Sequence, residues 1–444
     1  MEQVVLANQL AVPLNPGAVV MVCGPSGAGK TSLLRELSDR CPGAREVGRE
    51  SFPKGRAVVD AVACRRSLGE ALSILTACGL GEPRLWVRRF DELSEGERFR
   101  ARLARSISLQ LDGANPTAVL LCDEFGTILH RRAARAVGYN LGKLARRRGL
   151  PVVVATPDDD LMPYLQPNVL IRLTGDGRHA LTVLSAREGP PPFLRRFHIQ
   201  EGGKRDYESF AAMHYRRRDE LGFVDRVFVL RDGVGGEPLG IIVYAYGPIE
   251  LGLRNQATAG RFRRNPERLN RELRIIRRLV IHPDIRGCGV GHWLVRKTLA
   301  KVDVPFVECL AAMGAVNPVF EKAGMQRIGV CRPPPGREQL IGWLRRRGAD
   351  PMSSDFESQV ARRREVRDVV AEAVRGWYRA TTGARRDRVA TQSSRVLAQT
   401  FRQLAGSGPV YYLWRRDGSI GQPHAPDGPG IPVTGYPCRQ ESPS

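Results

Sequence analysis

Short, unbroken apolar runs alternate with stretches of helical periodicity over the first 190 residues. Residues 18–23 and 119–122 are such runs, followed by Gly24 and Asp123, and 152–156 is a third that ends in Thr156 before Pro157. Runs of this length and continuity suit strands of a parallel sheet covered on both faces. Thr31-Ser32-Leu33-Leu34-Arg35-Glu36-Leu37 and the longer stretch from Leu93 to Ile107 place apolar residues at helical spacing. The expected class is α/β.

The same alternation resumes further on. Residues 275–283 read as a strand stopped by Pro283, which cannot continue a ladder. A helix is expected from His292 to about residue 301, a strand over 304–310, and a helix ending at Gly324. Residues 206–220 also read as a helix. Val360, Val366, Val369, Val370, Ala373, Val374 and Trp377 give residues 351–380 an amphipathic helical pattern, and 397–404 a weaker one. Beyond Trp414 the chain turns rich in Gly and Pro, and 418–444 is expected to be disordered.

Composition narrows the classes. A chain of 444 residues with 42% hydrophobic content has room for two or three domains. No run of 18 apolar residues occurs, so no membrane span or membrane partner is expected. The first residues show no basic-then-apolar pattern, and a cytoplasmic location is expected. Nine cysteines without a C-x-x-C pair suggest plain thiols. The net charge is +23, of which residues 189–350 hold +12, from 29 basic and 17 acidic side chains. Arginine dominates, and its planar fork suits phosphate. A nucleic-acid partner is therefore expected, against the plainer reading of a solvated arginine-rich surface.

Candidate chemistry begins at Gly24-Pro25-Ser26-Gly27-Ala28-Gly29-Lys30-Thr31, a G-x-x-x-x-G-K-T loop between a strand and a helix. In that context backbone N–H groups of the loop, with Ser26, Gly27, Gly29 and Ser32, would cradle the phosphates of ATP. Lys30 would reach the β- and γ-phosphates, and Thr31 would ligate Mg2+. Residues 119–122 end in Asp123-Glu124. Asp123 is the expected second magnesium ligand, and Glu124 the expected catalytic base that polarises water.

Leu93-Ser94-Glu95-Gly96-Glu97 lies between these motifs and resembles the L-S-G-G-Q signature of ABC-type ATPases. The resemblance implies that Ser94 and Gly96 contact the γ-phosphate bound by a second protomer, and hence an ATP-dependent homodimer. Three features depart from the family. No Gln occurs between Thr31 and Gln110, Pro157 stands at the switch-histidine position, and Leu129-His130 replaces the Leu-Asp loop. The missing Gln argues against coupling to a membrane partner.

Arg286-Gly287-Cys288-Gly289-Val290-Gly291 follows the 275–283 strand and resembles the R/Q-x-x-G-x-G/A loop of GNAT acyltransferases. That resemblance implies a coenzyme A pyrophosphate site at Arg286, Gly287, Gly289 and Gly291, with Asn317 also at the cofactor. Acetyl-CoA or another acyl-CoA would be bound. Phe320 occupies a position where many family members carry a proton-donating Tyr. His214 and Tyr215 are candidate catalytic base and acid, against the plain reading of a half-buried pair on a helix. Phe262 among Arg261, Arg263 and Arg264 is a candidate base-stacking site.

Together the motifs resemble a small family in which an ABC-type ATPase is fused to a GNAT acetyltransferase. The expected organisation is a P-loop ATPase domain over 1–188, a GNAT-like domain over 189–350, a helical extension over 351–417 and the tail. The expected function is ATP-dependent acyl transfer onto nucleic acid. An ATP-driven nucleic-acid clamp with a non-catalytic GNAT-like domain, and a protein or small-molecule acetyltransferase, are the alternatives.

Overall fold

The computed structural model describes residues 10–113, 118–157, 159–185, 189–213, 221–331, 336–353, 355–382, 392–406 and 408–417. His214, Tyr215, Asp158 and the tail 418–444 lie outside the described residues.

Six strands form the first sheet: β1 (Val19–Cys23), β2 (Arg45–Glu46), β3 (Leu120–Cys122), β4 (Val152–Ala155), β5 (Val169–Leu173) and β6 (His179–Val183), in the order β2-β3-β4-β1-β5-β6. β1 runs parallel between β4 and β5. Its residues are apolar at every position because both faces are covered. Val19, Met21 and Cys23 join a core with Leu72, Leu103 and Val137, while Val20 and Val22 join another with Leu34. Helix α1 (Lys30–Arg40) follows β1, and α2 (Leu68–Ala77) and α3 (Glu95–Asp112) lie between β2 and β3. Helix α4 (Arg131–Arg148) follows β3 and ends at Gly149 in the left-handed region, φ 64°.

Seven strands form the second sheet: β7 (Phe197–Gly202), β8 (Val224–Asp232), β9 (Pro238–Ala245), β10 (Leu273–Ile281), β11 (Phe306–Ala311), β12 (Gln326–Val330) and β13 (Val410–Arg415). Their order is β12-β13-β11-β10-β9-β8-β7. β7 to β10 are antiparallel neighbours. β10 and β11 pair in parallel from Leu273↔Phe306 to Ile275↔Glu308, and β10 then bulges against β9 between Ile276 and Arg278. Helix α5 (Val290–Leu299) follows β10, and α6 (Val319–Lys322) follows β11.

The last strand corrects the expected boundary at residue 350. β13 inserts antiparallel between β11 and β12. The physical reason is the run Val410-Tyr411-Tyr412-Leu413, buried at every position, which needs a covered place in a sheet. Helices α7 (Arg337–Arg346), α8 (Phe356–Arg362), α9 (Arg364–Thr382) and α10 (Ser394–Ala405) are thus an insertion between two strands rather than an extension. They build their own core from Leu344, Phe356, Val360, Val366, Val370, Leu397 and Phe401. The single helix expected over 351–380 is broken at Arg363, which is extended (φ −113°, ψ 106°). Near residue 206 the described part holds only short turns, Lys204–Tyr207 and Glu208–Ala211.

The two sheets are joined through α4. Tyr139 on α4 stacks edge-on to Phe193 with ring centroids 6.4 Å apart, and Ala136 and Tyr139 enter the core that contains Leu230, Ile242 and Val307.

Candidate functional site

The glycine loop sits between β1 and α1, and its glycines are required by geometry. Gly24, Gly27 and Gly29 adopt φ 151°, 79° and 93°. A Cβ at Gly24 would lie 2.3 Å from the Leu173 carbonyl oxygen, so no side chain fits. Lys30 Nζ donates to the carbonyls of Gly24 (2.8 Å) and Pro25 (2.7 Å), holding the ammonium over the loop. Thr31 Oγ1 donates to Asp123 Oδ2 at 2.7 Å, across 92 residues of chain. Ser26, Gly27, Thr31 and Ser32 are exposed. This donor set fits a magnesium nucleotide: hydroxyl and carboxylate oxygens for the hard cation, an ammonium and a helix start for the phosphates.

Glu124 is exposed and holds φ 49°, a left-handed conformation uncommon outside glycine. Its N–H donates to Asp123 Oδ1 (2.9 Å), and its carbonyl accepts from the Thr127 hydroxyl (2.8 Å). The turn thus fixes the Glu124 backbone next to Asp123 and leaves its side chain exposed. At the switch position Pro157 is exposed, and Asp159 pairs with Arg172. Burial, reinforced by Asp159, pushes the Cys23 thiol at the loop's base up to about 11, so it stays a protonated packing residue.

Ser94 precedes α3 and is exposed; its N–H donates to Glu97 at 2.9 Å. Gly96 lies against the next motif, since a Cβ there would meet the Ile128 carbonyl and the Leu129 side chain at 3.5 Å. Two turns into this helix, Arg100 reaches across to donate to the Gly79 carbonyl at 2.8 Å.

The second glycine loop is placed differently from expectation. Arg286 donates to the carbonyls of Ile281 (2.8 Å), Gly81 (3.3 Å) and Met213 (3.0 Å). A Cβ on Gly287 would lie 2.8 Å from the Thr76 carbonyl and 2.9 Å from Asn140 Nδ2. Cys288 is buried and its thiol points to the Ala136 carbonyl, 3.6 Å away. A Cβ on Gly289 would strike the His292 ring at 2.8 Å. The close approach these glycines permit is therefore to α2, α4 and their own helix, not to a pyrophosphate. The reason is visible in Arg286: half-buried, and satisfied by carbonyls, it has become a fastener between the two units. Gly291 packs against Val319, and Asn317 is exposed in the turn before α6.

Around this loop the units are further tied by Arg132 to Glu237, and His130 Nδ1 lies 3.8 Å from an Asp284 oxygen. His130 belongs to the stretch at the Leu-Asp position, beside Gly96.

Comparison with known proteins bears on the first unit. The similarity is to ABC-type ATP-binding cassettes. Protein STAR1 of Oryza sativa subsp. japonica is 26% identical over 230 residues, covering 44% of this chain and 63% of that protein. The aliphatic sulfonates import ATP-binding protein SsuB of Cupriavidus necator is 30% identical over 202 residues, covering 39% of this chain and 62% of that protein. The chain thus spans under two thirds of the length of these relatives. Among solved structures, the cassette MJ0796 in a dimeric post-hydrolysis state with ADP and Pi matches 39% of this chain and 90% of its own, at 20% identity and a TM-score of 0.32. No protein-family model matches the chain. Among the described residues, no helix is long and apolar enough to cross a membrane.

Of the expected residues, the structure brings Lys30, Thr31, Asp123 and Glu124 to one end of the first sheet. His214 and Tyr215 fall outside the described residues. The stacking expectation at Phe262 fails: it is 1% exposed and meets Phe306 edge-on at 5.4 Å. Arg261 beside it pairs with Glu272 at 2.8 Å. Sequence reasoning missed Tyr412, buried on β13, whose ring lies 5.5 Å from Phe320 and whose hydroxyl donates to Glu321 at 3.2 Å. Its only sequence signal was the unbroken apolar run that contains it.

Proposed function

We propose that the chain couples ATP hydrolysis in its cassette to acyl transfer from an acyl-CoA, acetyl-CoA being the simplest, onto nucleic acid in the cytoplasm. The Thr31–Asp123 contact supports the ATP half. These two residues would hold Mg2+, Lys30 and the loop N–H groups the phosphates, and Glu124 a water. Exposed Ser26 and Gly27, with exposed Ser94, support a head-to-tail homodimer in which Ser94 and Gly96 of one protomer cover the other's nucleotide.

The observation that carries the transfer half is the strand order. β13 lies between β11 and β12, and β10 bulges just where it leaves β11. This supports the GNAT-like reading, in which the gap between the two strands takes the thioester. When bound, the cofactor supplies an activated acyl group. Phe320 has no proton to give, but the Tyr412 hydroxyl beside it does. Burial raises that hydroxyl to about 12, keeping it protonated. Tyr412 is thus the proton donor of this reading, with Tyr215 a further candidate acid and His214 the candidate base.

The Arg286 loop's engagement with the cassette supports ATP control. Acyl-CoA access would follow nucleotide state. Calorimetric titration of acetyl-CoA with and without ATP and Mg2+ tests this. Binding that strengthens with ATP is expected; none in either state removes the transfer reading. A second reading is favoured by the same engaged loop and by Phe320: an ATP-driven nucleic-acid clamp whose second unit transfers nothing. It predicts nucleic-acid binding without acetyl-CoA binding.

A further inference from the structure

The helical insertion between β12 and β13 is the least explained part of the fold. Residues 336–406 carry 15 arginines, no lysine and 8 acidic residues. Two arginine triplets stand out. Arg345-Arg346-Arg347 closes α7, and Arg362-Arg363-Arg364 forms the junction of α8 and α9. Though 15 residues apart in sequence, folding sets them side by side. The Arg363 guanidinium donates to the Arg347 carbonyl, and Arg347 pairs with Glu365 at 2.9 Å. Arg347 also lies over the Trp343 ring, 4.0 Å from its centroid, which fixes its orientation.

Arg345, Arg346, Arg347, Arg362 and Arg364 are exposed. Asp350, Glu365 and Asp368 pair with Arg345, Arg347 and Arg364. Arg346 and Arg362 pair with no carboxylate among the described residues. A helix C-terminus attracts a cation within its last turn. That accounts for one arginine at each helix end, not for six in a joined strip. Gathering like charges this way costs self-repulsion unless an anion relieves it.

We propose that this arginine strip on the helical insertion is where the chain grips the sugar-phosphate backbone of nucleic acid. The class follows from the chemistry. Clustered guanidinium forks present paired N–H donors matched to phosphate oxygens, and several of them on one face can meet several phosphates. The proposal rests on the nucleic-acid part of the function above and moves that contact away from Phe262 and Arg261. It needs no acyl-CoA.

The test uses the full chain and fluorescent DNA and RNA duplexes of about 20 base pairs, with single strands of equal length, titrated across a salt series. Arg345, Arg346 and Arg362, which hold no backbone contact between the helices, are changed together to Glu, and separately to Gln. The Glu variant is expected to lose at least about 10-fold in affinity near 0.1 M salt, and to flatten the log–log salt slope by about 0.9 per lost duplex contact. The Gln variant should fall between, with the melting temperature of both unchanged. Affinity and slope equal to wild type in a folded Glu variant would overturn the proposal. So would wild-type protein that binds phosphatidylserine vesicles in preference to every nucleic acid. Acetyl-CoA calorimetry on the same variants keeps the two ideas apart, since loss of nucleic acid with acetyl-CoA retained concerns the strip alone.

Discussion

Arg286 of the second unit donates to the carbonyl of Gly81 in the first unit at 3.3 Å, and Asn140 of α4 donates to the Arg286 carbonyl at 3.4 Å. Gly81 lies two residues beyond Gly79, whose carbonyl receives Arg100 of the signature helix. Two hydrogen bonds and a short turn therefore link the helix that begins at Ser94 to the glycine loop after β10. A second route runs from Gly96 through residues 128–130 to Asp284. The residues around Ser94 and those around His130 thus both connect to the same loop, the first through the 79–81 turn.

If those contacts transmit nucleotide state, amides of residues 284–291 should exchange faster with deuterium when the Glu124→Gln protein is saturated with ATP and Mg2+ than when it is nucleotide-free. Arg286→Ala should give the faster exchange without nucleotide, because it removes the carbonyl fastener. Identical exchange in all three states would mean that the loop is a rigid graft.

Glu124→Gln should retain ATP binding and lower hydrolysis by about 100-fold or more, the usual size of a general-base contribution. It should also enrich an ATP-bound dimer on size-exclusion chromatography. Lys30→Ala should abolish nucleotide binding, since it deletes the charge that faces the phosphates. Wild-type hydrolysis by the Glu124 variant would move the base elsewhere, with Asp159 the next carboxylate to test.

Much of the first unit was legible because its signals are local. The apolar run 18–23, the glycine loop and Asp123 each state their role within a few residues, and Thr31 meets Asp123 where the motifs require. What was not legible depended on long-range partners. Gly287 and Gly289 read as a phosphate cradle, yet the space they leave is filled by Thr76, Asn140 and His292. Phe262 sits in an arginine run that looks solvated, but Phe306, Leu269 and Leu273 bury it. The return of residues 410–415 to the sheet could not be placed, because a strand's apolar pattern does not say which neighbour it pairs with.

The seam between the units should also respond to pH. Burial lowers the pKa of His282 from its ordinary 6.5; Asp284 pulls the other way and Arg132 adds to the lowering. The neutral ring accepts the Asp284 N–H on Nδ1 at 3.3 Å, a contact that protonation destroys. A folded-state pKa below the unfolded one means that the unfolded chain binds the proton first. Stability is thus fully present above 6.5 and declines as pH falls through 6.5 toward the lower folded value. Thermal melting from neutral to mildly acidic pH should show a steeper loss for wild type than for His282→Asn. Parallel curves would show that His282 titrates alike in both states.

Arg254 and Glu308 form the most deeply buried ion pair described, both at 0% side-chain exposure. Arg254 meets both carboxylate oxygens at 2.9 Å, and its remaining donors reach the carbonyls of Pro248 and Ile249. Tyr411 of β13 donates to Glu308 Oε2 at 2.9 Å. The network therefore binds the last strand to β11 and to the segment before β10, at the point where β10 and β11 stop pairing. Removing one member leaves the other charge buried without its partner, which costs more than the intact pair contributes. Arg254→Met should lower stability by about 3–5 kcal/mol, and Arg254→Met with Glu308→Leu should recover most of it. Tyr411→Phe should cost about 1–3 kcal/mol, the penalty for a charged acceptor losing one donor. Urea unfolding of the four proteins, followed by far-UV circular dichroism, measures all of these. A double variant no more stable than Arg254→Met would mean that Glu308 is not what Arg254 neutralises, and that the arginine acts by tying the 248–249 carbonyls instead.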